Sequence, residues 1–411
     1  MQVTPRIFAA LACSLAAPFA FGQATEPTIF VLANVSDTVS SYRVLPDGTL
    51  DFVDAEAASD GPISAALSPD GKWLAVGHGT INNVEEVLLI FAVQENGSLQ
   101  LRLGATVPDS PLGMTWISDT HVAILETGAS FVRIYAFDPF GPSLTEIDNA
   151  FSGSFSTSVV TNADRTLLFV QDSTTSTIRS WTINADGTID QAGFISTSPA
   201  FPLDLAVTNA SSRIYAAGGI SNGGDKISGF SFDNAGDFTP LPGTPFTSPG
   251  ASPSQLAVTD DDAFLIAGHG TDATMRTFTI NADGSLTSTG FAFDVGSQGT
   301  LGGLATIGRM LFVTDESTVS DGVSGVYAFT VENDGSLTQN GPILSTGDVR
   351  PETIVAWPGL TLGDLNGDGA VNGADLAELL AQWGGSGAAD LNGDGVVDGS
   401  DLAMLLANWT G

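Results

Sequence analysis

The stretch LLIFAVQENGSLQLRLGATV, residues 88–107, shows the unit from which most of this chain is built. Two apolar runs flank Asn96-Gly97, a pair that suits a tight hairpin because glycine adopts positive φ without steric cost. In the first run Phe91 and Val93 lie two positions apart, so both project from the same face of a strand. The stretch therefore predicts a β-hairpin with one filled apolar face.

The same hairpin recurs about every 48 residues, a period typical of propellers and repeat arrays. Five copies carry a clear turn: PDGTL at 46–50, ENGSL at 95–99, ADGTI at 185–189, ADGSL at 282–286 and NDGSL at 333–337. Two weaker copies lie around Phe140-Gly141 and Ala235-Gly236. Seven copies in register argue against the alternative fold, a β-sandwich.

The residues before each turn keep the same character in all seven copies. An aromatic residue stands five positions before the turn, and a bulky apolar residue stands three positions before it. The aromatic positions are Tyr42, Phe91, Tyr135, Trp181, Phe230, Phe278 and Phe329, and the apolar positions are Val44, Val93, Phe137, Ile183, Phe232, Ile280 and Val331. Propeller blades pack face to face and need such a filled column.

Each repeat holds four strand-like runs, which in the second repeat are ISAAL (63–67), WLAVG (73–77), LLIFAV (88–93) and LQLRLGATV (99–107). The first repeat begins one strand late, at IFVLAN (29–34), and ETIVAW (352–357) supplies the missing strand from the far end. This exchange closes the ring and removes exposed sheet edges. The sequence thus predicts an all-β, seven-bladed propeller over residues 27–357.

The segment SPDGKWLAV (68–76) and the repeats around it resemble the lactonase family of seven-bladed propellers, which includes propeller-type 6-phosphogluconolactonases. The resemblance implies the fold and, in that family, His, Arg and Glu side chains on the ligand face. Here the loops that enter the first strands hold one basic residue, Arg350, and no histidine. Because a phosphorylated sugar needs several basic groups, we do not expect phosphogluconolactonase activity.

Five polar residues end second strands and are candidates for a ligand site at the channel mouth. They are His78, Glu126, Asp172, His269 and Asp315. Two histidines with carboxylates can hold a metal or transfer protons, whereas the alternative is that these residues only cap strand ends. The sequence contains no HExxH metal motif.

Two loops, DLNGDGAVNGAD (364–375) and DLNGDGVVDGSD (390–401), match the spacing of EF-hand-type calcium loops. Such loops place oxygen ligands at positions 1, 3, 5, 9 and 12, a backbone carbonyl at 7 and glycine at 6. The predicted ligands are Asp364, Asn366, Asp368, Ala370, Asn372 and Asp375 in the first loop, and Asp390, Asn392, Asp394, Val396, Asp398 and Asp401 in the second. Hard oxygen donors favour calcium, so we expect two Ca²⁺ ions.

An apolar stripe at helical spacing follows each calcium loop. The stripes are Leu376, Leu379, Leu380 and Trp383 after the first loop, and Leu402, Leu405, Leu406 and Trp409 after the second. They predict two helices that bury their stripes against each other. Since clustered carboxylates repel one another without a metal, we expect the folding of this unit to depend on calcium.

A loop and an exiting helix, duplicated and with Asp at position 12, closely resemble a type I dockerin. The residues before each loop, 358–363 and 384–389, are poor helix formers, unlike the entering helix of an EF-hand. The resemblance covers a domain at 364–411, joined by the linker 358–363, and implies a calcium-dependent partner for cohesins in polysaccharide-degrading assemblies. At loop positions 10 and 11, Gly373-Ala374 and Gly399-Ser400 depart from the frequent Ser-Thr pattern, which leaves another cell-surface partner as an alternative.

The N-terminus and the charge indicate a secreted or cell-surface protein. Arg6, the apolar run 7–21 and the small residues before Gln23 predict a signal peptide over 1–22, because the run is short for a membrane anchor. The single cysteine, Cys13, lies in this segment, so the remaining chain has no disulfide, and a lipoprotein linked through Cys13 is the alternative. With 12 Lys+Arg against 46 Asp+Glu, the net charge of −34 disfavours nucleic acid and anionic lipid as partners.

Two functions stay open on the sequence. The first is a non-catalytic extracellular binding or scaffold propeller, carried by its docking module, for which a glycan is one candidate ligand. The second is a secreted hydrolase that acts on lactone or O-glycosidic bonds in polysaccharide catabolism.

Overall fold

The computed structural model describes residues 24–79, 87–126, 128–197, 201–218, 225–250, 252–270, 272–295, 301–316, 324–346, 350–365, 371–387, 389–392 and 394–409. The predicted signal peptide lies outside these ranges. Within them the chain forms seven antiparallel sheets followed by two helices. This architecture confirms the seven-bladed propeller and the helical C-terminal region predicted above.

The second to fourth blades each contain four strands in chain order. Their strands are β4 (Pro62–Leu67), β5 (Trp73–His78), β6 (Val87–Val93) and β7 (Leu99–Thr106); β8 (Pro111–Ser118), β9 (His121–Glu126), β10 (Phe131–Asp138) and β11 (Ser143–Phe151); β12 (Val159–Thr161), β13 (Leu167–Asp172), β14 (Thr177–Ile183) and β15 (Ile189–Ser196).

The fifth to seventh blades follow the same plan, with a split outer strand in the fifth and seventh. Their strands are β16 (Leu205–Val207), β17 (Arg213–Ala217), β18 (Lys226–Phe232), β19 (Phe238–Pro240) and β20 (Phe246–Thr247); β21 (Pro253–Val258), β22 (Phe264–His269), β23 (Thr274–Ile280) and β24 (Leu286–Asp294); β25 (Leu301–Ile307), β26 (Met310–Asp315), β27 (Gly325–Val331), β28 (Leu337–Gln339) and β29 (Leu344–Ser345).

The first blade is built from both ends of the propeller sequence. It contains β1 (Thr28–Ala33), β2 (Thr38–Val44), β3 (Leu50–Ala57) and, as its innermost strand, β30 (Pro351–Trp357). β30 pairs with β1 along the whole strand, from Thr28 opposite Trp357 to Ala33 opposite Pro351. The predicted exchange of the last strand therefore closes the ring.

Seven apolar clusters hold the blades together, and each mixes residues of two adjacent blades. The seven predicted aromatic positions are all buried, at 6% exposure or less. Phe91, for example, is fully buried in the cluster between the first and second blades, together with Phe30 and Trp357. The aromatic column read from the sequence is thus the packing surface between blades.

Polar bonds to the inner strands, or to the residues that enter them, add a second set of links at six of the seven blade junctions among the described residues. The side chains that reach across are Thr353, Ser64, Thr157, Asp204, Gln255 and Thr314. Thr157 Oγ1, for example, donates to the carbonyl oxygen of Leu203 at 2.7 Å. The Thr157 bond satisfies a carbonyl that lies just before the three-residue strand β16 and outside its ladder.

The Asp-Gly turns are stabilised by their own aspartates. Asp186 Oδ1 accepts hydrogen bonds from the backbone N–H and the hydroxyl of Thr188, and Gly187 adopts φ +83°. These bonds lower the pKa of Asp186, because they favour the charged carboxylate. The repeated Asp-Gly-Ser/Thr motif therefore favours a turn with glycine at the position of positive φ and a hydroxyl side chain at the next position.

The C-terminal region forms α1 (Gly373–Ala381) and α2 (Gly399–Ala407) around a small core of its own. Its buried residues are Val371, Leu379, Ala389, Val397 and Leu405. The expectation that both apolar stripes would be buried is half wrong. Leu379 and Leu405 are buried, but the second half of each stripe stays exposed because two short helices meet along only one edge.

Candidate functional site

The innermost strands of all seven blades line a central channel of about 540 Å³. We call the end where these strands begin the loop end, and the end where they finish the turn end. The second strands finish at the loop end, since His78 at the end of β5 pairs with Pro62 at the start of β4. Pro358, directly after β30, lines a separate cavity of about 560 Å³ at the turn end. The linker therefore leaves the propeller away from the loop end.

The two predicted histidines lie at the loop end but are held inside their own blades. His78 Nδ1 donates to the carbonyl oxygen of Val87, and Nε2 accepts from the backbone N–H of Ser59, both at 3.2 Å. Burial lowers the pKa of His78 to about 4, so the ring is neutral at neutral pH.

His269 repeats this arrangement in the sixth blade. Its Nδ1 donates to the carbonyl oxygen of Thr274 at 3.2 Å, and its Nε2 accepts from the Ser248 hydroxyl at 2.8 Å. Burial lowers its pKa as well. Each histidine thus joins the loop that enters the blade to the strand that follows, and both ring nitrogens are used in doing so.

The three predicted carboxylates are equally buried. Glu126 accepts a hydrogen bond from Arg133 Nε at 2.5 Å, and burial raises its pKa. Asp172 accepts from the backbone N–H groups of Thr174 and Thr175. Asp315 ends β26 and pairs with Leu301 at the start of β25, so it also lies at the loop end.

The five residues therefore occupy matching places in five blades, one blade apart or more, and none lines the channel. His78, Glu126, Asp172 and His269 bond groups of their own blades or of the loops that enter them, and not one another. A ligand role for these five stays a prediction.

The channel is lined instead by two carboxylates that were not predicted as site residues, Glu316 and Glu352, and Arg350 joins them in a cluster. Arg350 Nε lies 3.1 Å from Glu316 Oε2 and 3.7 Å from Glu352 Oε2. Burial, and then the charge of Glu352, raise the pKa of Glu316 to about 7. Glu316 follows β26 and Glu352 lies in β30, so the cluster spans the junction of the seventh and first blades at the loop end.

Arg350 was visible in the sequence as the one basic residue of the entry loops. Its two partners were not, because Glu316 and Glu352 are far apart in the chain and only ring closure joins them. Arg350 adopts φ +62°, in the left-handed region that is uncommon for residues with a side chain.

Asp204 is a second channel carboxylate, and it has a structural role. Its oxygens accept hydrogen bonds from Ser158 Oγ at 2.9 Å, from its neighbour Leu205 N at 2.8 Å and from Leu256 N at 2.9 Å. It thereby ties the fourth, fifth and sixth blades together. Burial raises the pKa of Asp204 to about 6 despite these bonds.

Two aromatic rings stack at the loop end, across the ring from the Glu316 cluster. Phe155 and Phe201 lie with centroids 5.7 Å apart and an interplanar angle of 24°. Phe155 is two residues before the channel-lining Thr157, and Phe201 is two residues before the channel-lining Leu203. Phe155 is 38% exposed, so part of the pair faces solvent.

The second predicted calcium loop folds around its own oxygen donors. Asp390 Oδ2 accepts from the backbone N–H of Gly395 at 2.7 Å, and Asp394 Oδ1 accepts from Val396 N at 3.0 Å. Asp401, fully buried, accepts from the backbone N–H groups of Asn392 and Asp398. These backbone hydrogen bonds lower the pKa of Asp401, and the one from the N–H of Asp398 has the largest effect. Burial acts in the other direction and would raise this pKa.

The first loop shows the same closing bonds where it is described. Asp375 accepts from the backbone N–H groups of Leu365 and Asn372, each at 2.8 Å. Asp364 begins this loop, while Asn366, Asp368 and Ala370 lie outside the described residues. Asn372 and Asp398 also cap α1 and α2, which fixes each helix on its loop.

These loops fit calcium by the chemistry of their donors. Residues 351–411 contain no Lys, Arg or His, so no basic side chain of this region can neutralise its carboxylates. Buried carboxylates without a counter-charge are costly, and a bound cation removes that cost. Calcium would supply this charge when bound, and it prefers the oxygen donors that both loops provide.

The surface of the C-terminal region repeats itself as well. The exposed halves of the two stripes are Leu380 and Trp383 after the first loop, and Leu406 and Trp409 after the second. They are between 39% and 53% exposed. Exposed apolar side chains of this size are typical of interaction sites, and we call these four residues the stripe surface.

Comparison with known proteins identifies this C-terminal region. A family model described as the type I dockerin domain matches residues 362–408, so the chain contains a dockerin. Dockerin type I domains bind calcium in general, and dockerin domains bind cohesins. Proteins that carry dockerins are typically extracellular or cell-surface components of cellulosomes.

The propeller is similar in fold to several solved structures. A candidate 6-phosphogluconolactonase of Bacteroides fragilis has 16% identity and a TM-score of 0.66, and covers 81% of this chain and 98% of its own. One of Bacteroides uniformis has 15% identity and a TM-score of 0.68, over 81% and 100%. The periplasmic gluconolactonase of Pseudomonas aeruginosa has 17% identity and a TM-score of 0.54, over 63% and 78%. At these identities the likeness concerns the fold alone.

A search of curated protein sequences found no match to this chain. Among the described residues, no helix has the length and apolar character needed to cross a membrane.

Proposed function

We propose that this protein is a secreted modular protein whose propeller acts as an extracellular binding module, attached to a cohesin through its dockerin domain. The dockerin match carries this proposal, supported by the exposed stripe surface. Because the linker leaves at the turn end, an attached propeller keeps its loop end accessible to a ligand. The predicted signal peptide over 1–22 supports secretion.

Two calcium ions, one in each loop, are part of the proposal. The ligands would be Asp364, Asn366, Asp368, Ala370, Asn372 and Asp375 in one loop and Asp390, Asn392, Asp394, Val396, Asp398 and Asp401 in the other. The matching closing bonds of Asp375 and Asp401 support equal roles for the two loops.

Titration calorimetry of the full chain with a cohesin, in calcium and in excess EGTA, tests the docking role. We expect binding only with calcium. Replacing Trp383 and Trp409 together by alanine should abolish binding while calcium uptake persists, because both rings belong to the stripe surface and neither belongs to a calcium loop. Leu360→Ala, an equally exposed apolar change in the linker, is the matched control. Binding in EGTA, or full binding by the double variant, would contradict the proposal.

A second candidate function is hydrolysis of a lactone or O-glycosidic bond. It is favoured by the Glu316 cluster, in which one carboxyl with a pKa of about 7 lies beside a second carboxyl and a guanidinium. A carboxyl that is half protonated near neutral pH is suited to general acid catalysis. Product formation from aldonolactones or soluble polysaccharides that is lost in Glu316→Gln would establish an enzyme, and its absence would leave the binding role.

A further inference from the structure

The loop end of the channel has two chemically different sides. In a ring of seven blades, the fourth and fifth blades face the first. Phe155 and Phe201 lie on the segments that enter the fourth and fifth blades, and the Glu316 cluster lies on the seventh and first. The two segments reach the channel wall two residues later, at Thr157 and Leu203, so the aromatic pair lies beside the channel and opposite the carboxylate and guanidinium cluster in blade order.

The backbone on the aromatic side is fixed by hydrogen bonds. Phe201 adopts φ +68°, a left-handed conformation that a bulky residue rarely holds without support. Its backbone N–H donates to Ser176 Oγ at 3.1 Å. The carbonyl oxygen of Phe155 accepts from the backbone N–H of Ser173 at 2.8 Å. One loop of the fourth blade thus anchors both rings, and a partly exposed stack held this way offers a flat, ordered apolar surface.

The polar side offers both acceptors and donors. The carboxylates of Glu316 and Glu352 are acceptors and the guanidinium of Arg350 is a donor, whose Nε bonds Glu316 Oε2 at 3.1 Å. Glu352 Oε2 is buried and receives no hydrogen bond from the described residues, although Arg350 is 3.7 Å away. Buried carboxylate oxygens normally accept hydrogen bonds, so a ligand hydroxyl is a suitable donor for this atom. Two acids against one base disfavour an anionic ligand.

The channel wall between these sides carries no further charge of either sign, apart from the bonded Asp204. It consists of strand residues whose hydroxyl and amide side chains, such as Ser64, Thr157 and Gln255, alternate with apolar ones such as Leu112 and Met114. The volume of about 540 Å³ lies within the roughly 300–1,000 Å³ typical of small-molecule sites.

We propose that the loop end of the propeller binds a neutral sugar chain, with one ring face stacked on the exposed part of the Phe155–Phe201 pair and with hydroxyl groups bonded to Glu316, Arg350 and Glu352. A sugar ring has an apolar C–H face and a rim of hydroxyls, which matches an aromatic surface opposite acceptors and donors. This inference deepens the proposed binding role and rests on it. It applies whether the bound sugar is then released unchanged or cleaved.

The test uses the full chain with calcium and a panel of soluble tri- to hexasaccharides: neutral glucans, xylans and mannans, a uronic acid series and an amino sugar series. Binding is measured by calorimetry and by saturation-transfer NMR. We expect at least one neutral series to bind and the uronic acid series to bind more weakly than its neutral counterpart. No binding by any neutral series at millimolar concentrations, or preference for the charged series, would overturn the inference.

Variants locate the site. Phe155→Ala should lower sugar affinity about tenfold or more, as expected for a central aromatic contact, whereas Phe155→Tyr keeps the ring and should retain affinity. Phe194→Ala, on the exposed outer strand of the same blade, is the matched control for loss of a surface phenylalanine. Glu352→Gln should weaken binding while the melting temperature stays near that of the parent. Equal affinity in the parent, Phe155→Ala and Glu352→Gln would place the sugar elsewhere and refute the inference.

The same samples separate this inference from the docking role. Cohesin binding by the Phe155→Ala protein is expected to equal that of the parent. If the parent protein bound sugar but no cohesin, the docking proposal would be wrong and the sugar inference would stand.

Discussion

The propeller and the dockerin domain are stabilised in opposite ways. The propeller closes on seven apolar clusters, one at each blade junction, and adds polar bonds between blades. The dockerin domain buries five apolar side chains in one cluster and carries carboxylates without a single basic residue. Small domains with small cores need an additional stabilising element, such as a disulfide or a metal ion, and the oxygen donors here indicate a metal ion. We therefore expect one part of this chain to fold mainly by apolar burial and the other to need neutralisation of its carboxylates.

The removal of calcium should have the largest effect, and it tests directly whether the two domains are stabilised differently. Chelation should unfold the dockerin domain completely, because the carboxylates of each loop then lose their counter-charge, and leave the propeller folded. Hydrogen exchange followed by mass spectrometry resolves the two parts. Amides of α1 and α2 should lose protection in EGTA, while those of inner strands such as β5 and β22 keep it. Protection of both helices without calcium would mean that the small core suffices.

The next largest effect is expected from the aromatic column. Phe91 is fully buried between the first two blades, so Phe91→Ala should lower the free energy of unfolding of the propeller by about 3–5 kcal/mol. Phe194→Ala removes the same atoms from a side chain that is 67% exposed and should change it by less than about 0.5 kcal/mol. Urea unfolding measures both. A loss below about 1 kcal/mol in Phe91→Ala would show that the column is not the main source of stability.

These two contrasts also explain what the sequence could and could not predict. Blade number, ring closure and the aromatic column follow from local periodicity, because every repeat must solve the same packing problem. The dockerin loops could be recognised from the sequence because all the predicted ligands of a loop lie within twelve consecutive positions. The Glu316 cluster was not readable, since Glu316 and Glu352 meet only through ring closure, between strands distant in the chain.

The candidate residues at the strand ends illustrate the same limit. His78 and His269 were correctly expected at the loop end, but position along a strand does not say whether a side chain faces the channel or its own blade. Their ring nitrogens bond backbone and hydroxyl groups of the entry loops and following strands. The exposed Leu380 and Trp383 show the converse case, in which helical spacing predicted an apolar stripe but not that half of it faces outward.

An intermediate effect is expected from Asp204, the polar counterpart of Phe91. Asp204→Leu leaves the N–H of Leu256 and the hydroxyl of Ser158 without their acceptor inside the ring. Unfolding free energy should fall by about 2–3 kcal/mol, the usual cost of stranded buried donors. Asp204→Asn, which keeps one oxygen and the side-chain shape, should lose less. If the leucine variant were as stable as the parent, the polar bonds between blades would contribute little to the stability of the closed propeller.

The smallest effect concerns the channel charge and appears as a dependence on pH. The pKa of Glu316 is raised from 4.5 to about 7, so the folded protein binds a proton that the unfolded chain has already released between these values. The stability this group contributes is full below about pH 4.5 and is lost as the pH rises through 7.

Glu316→Gln has no proton to lose, and its unfolding free energy should exceed that of the parent by about 1–2 kcal/mol at pH 8 but not at pH 4. Glu352 and Arg350 remain in both proteins, so the difference between the two pH profiles isolates Glu316. Melting temperatures from pH 4 to 8 measure it. Parallel profiles would mean that Glu316 titrates as an ordinary surface carboxyl, and they would remove the physical basis for assigning it an acid–base role at the channel mouth.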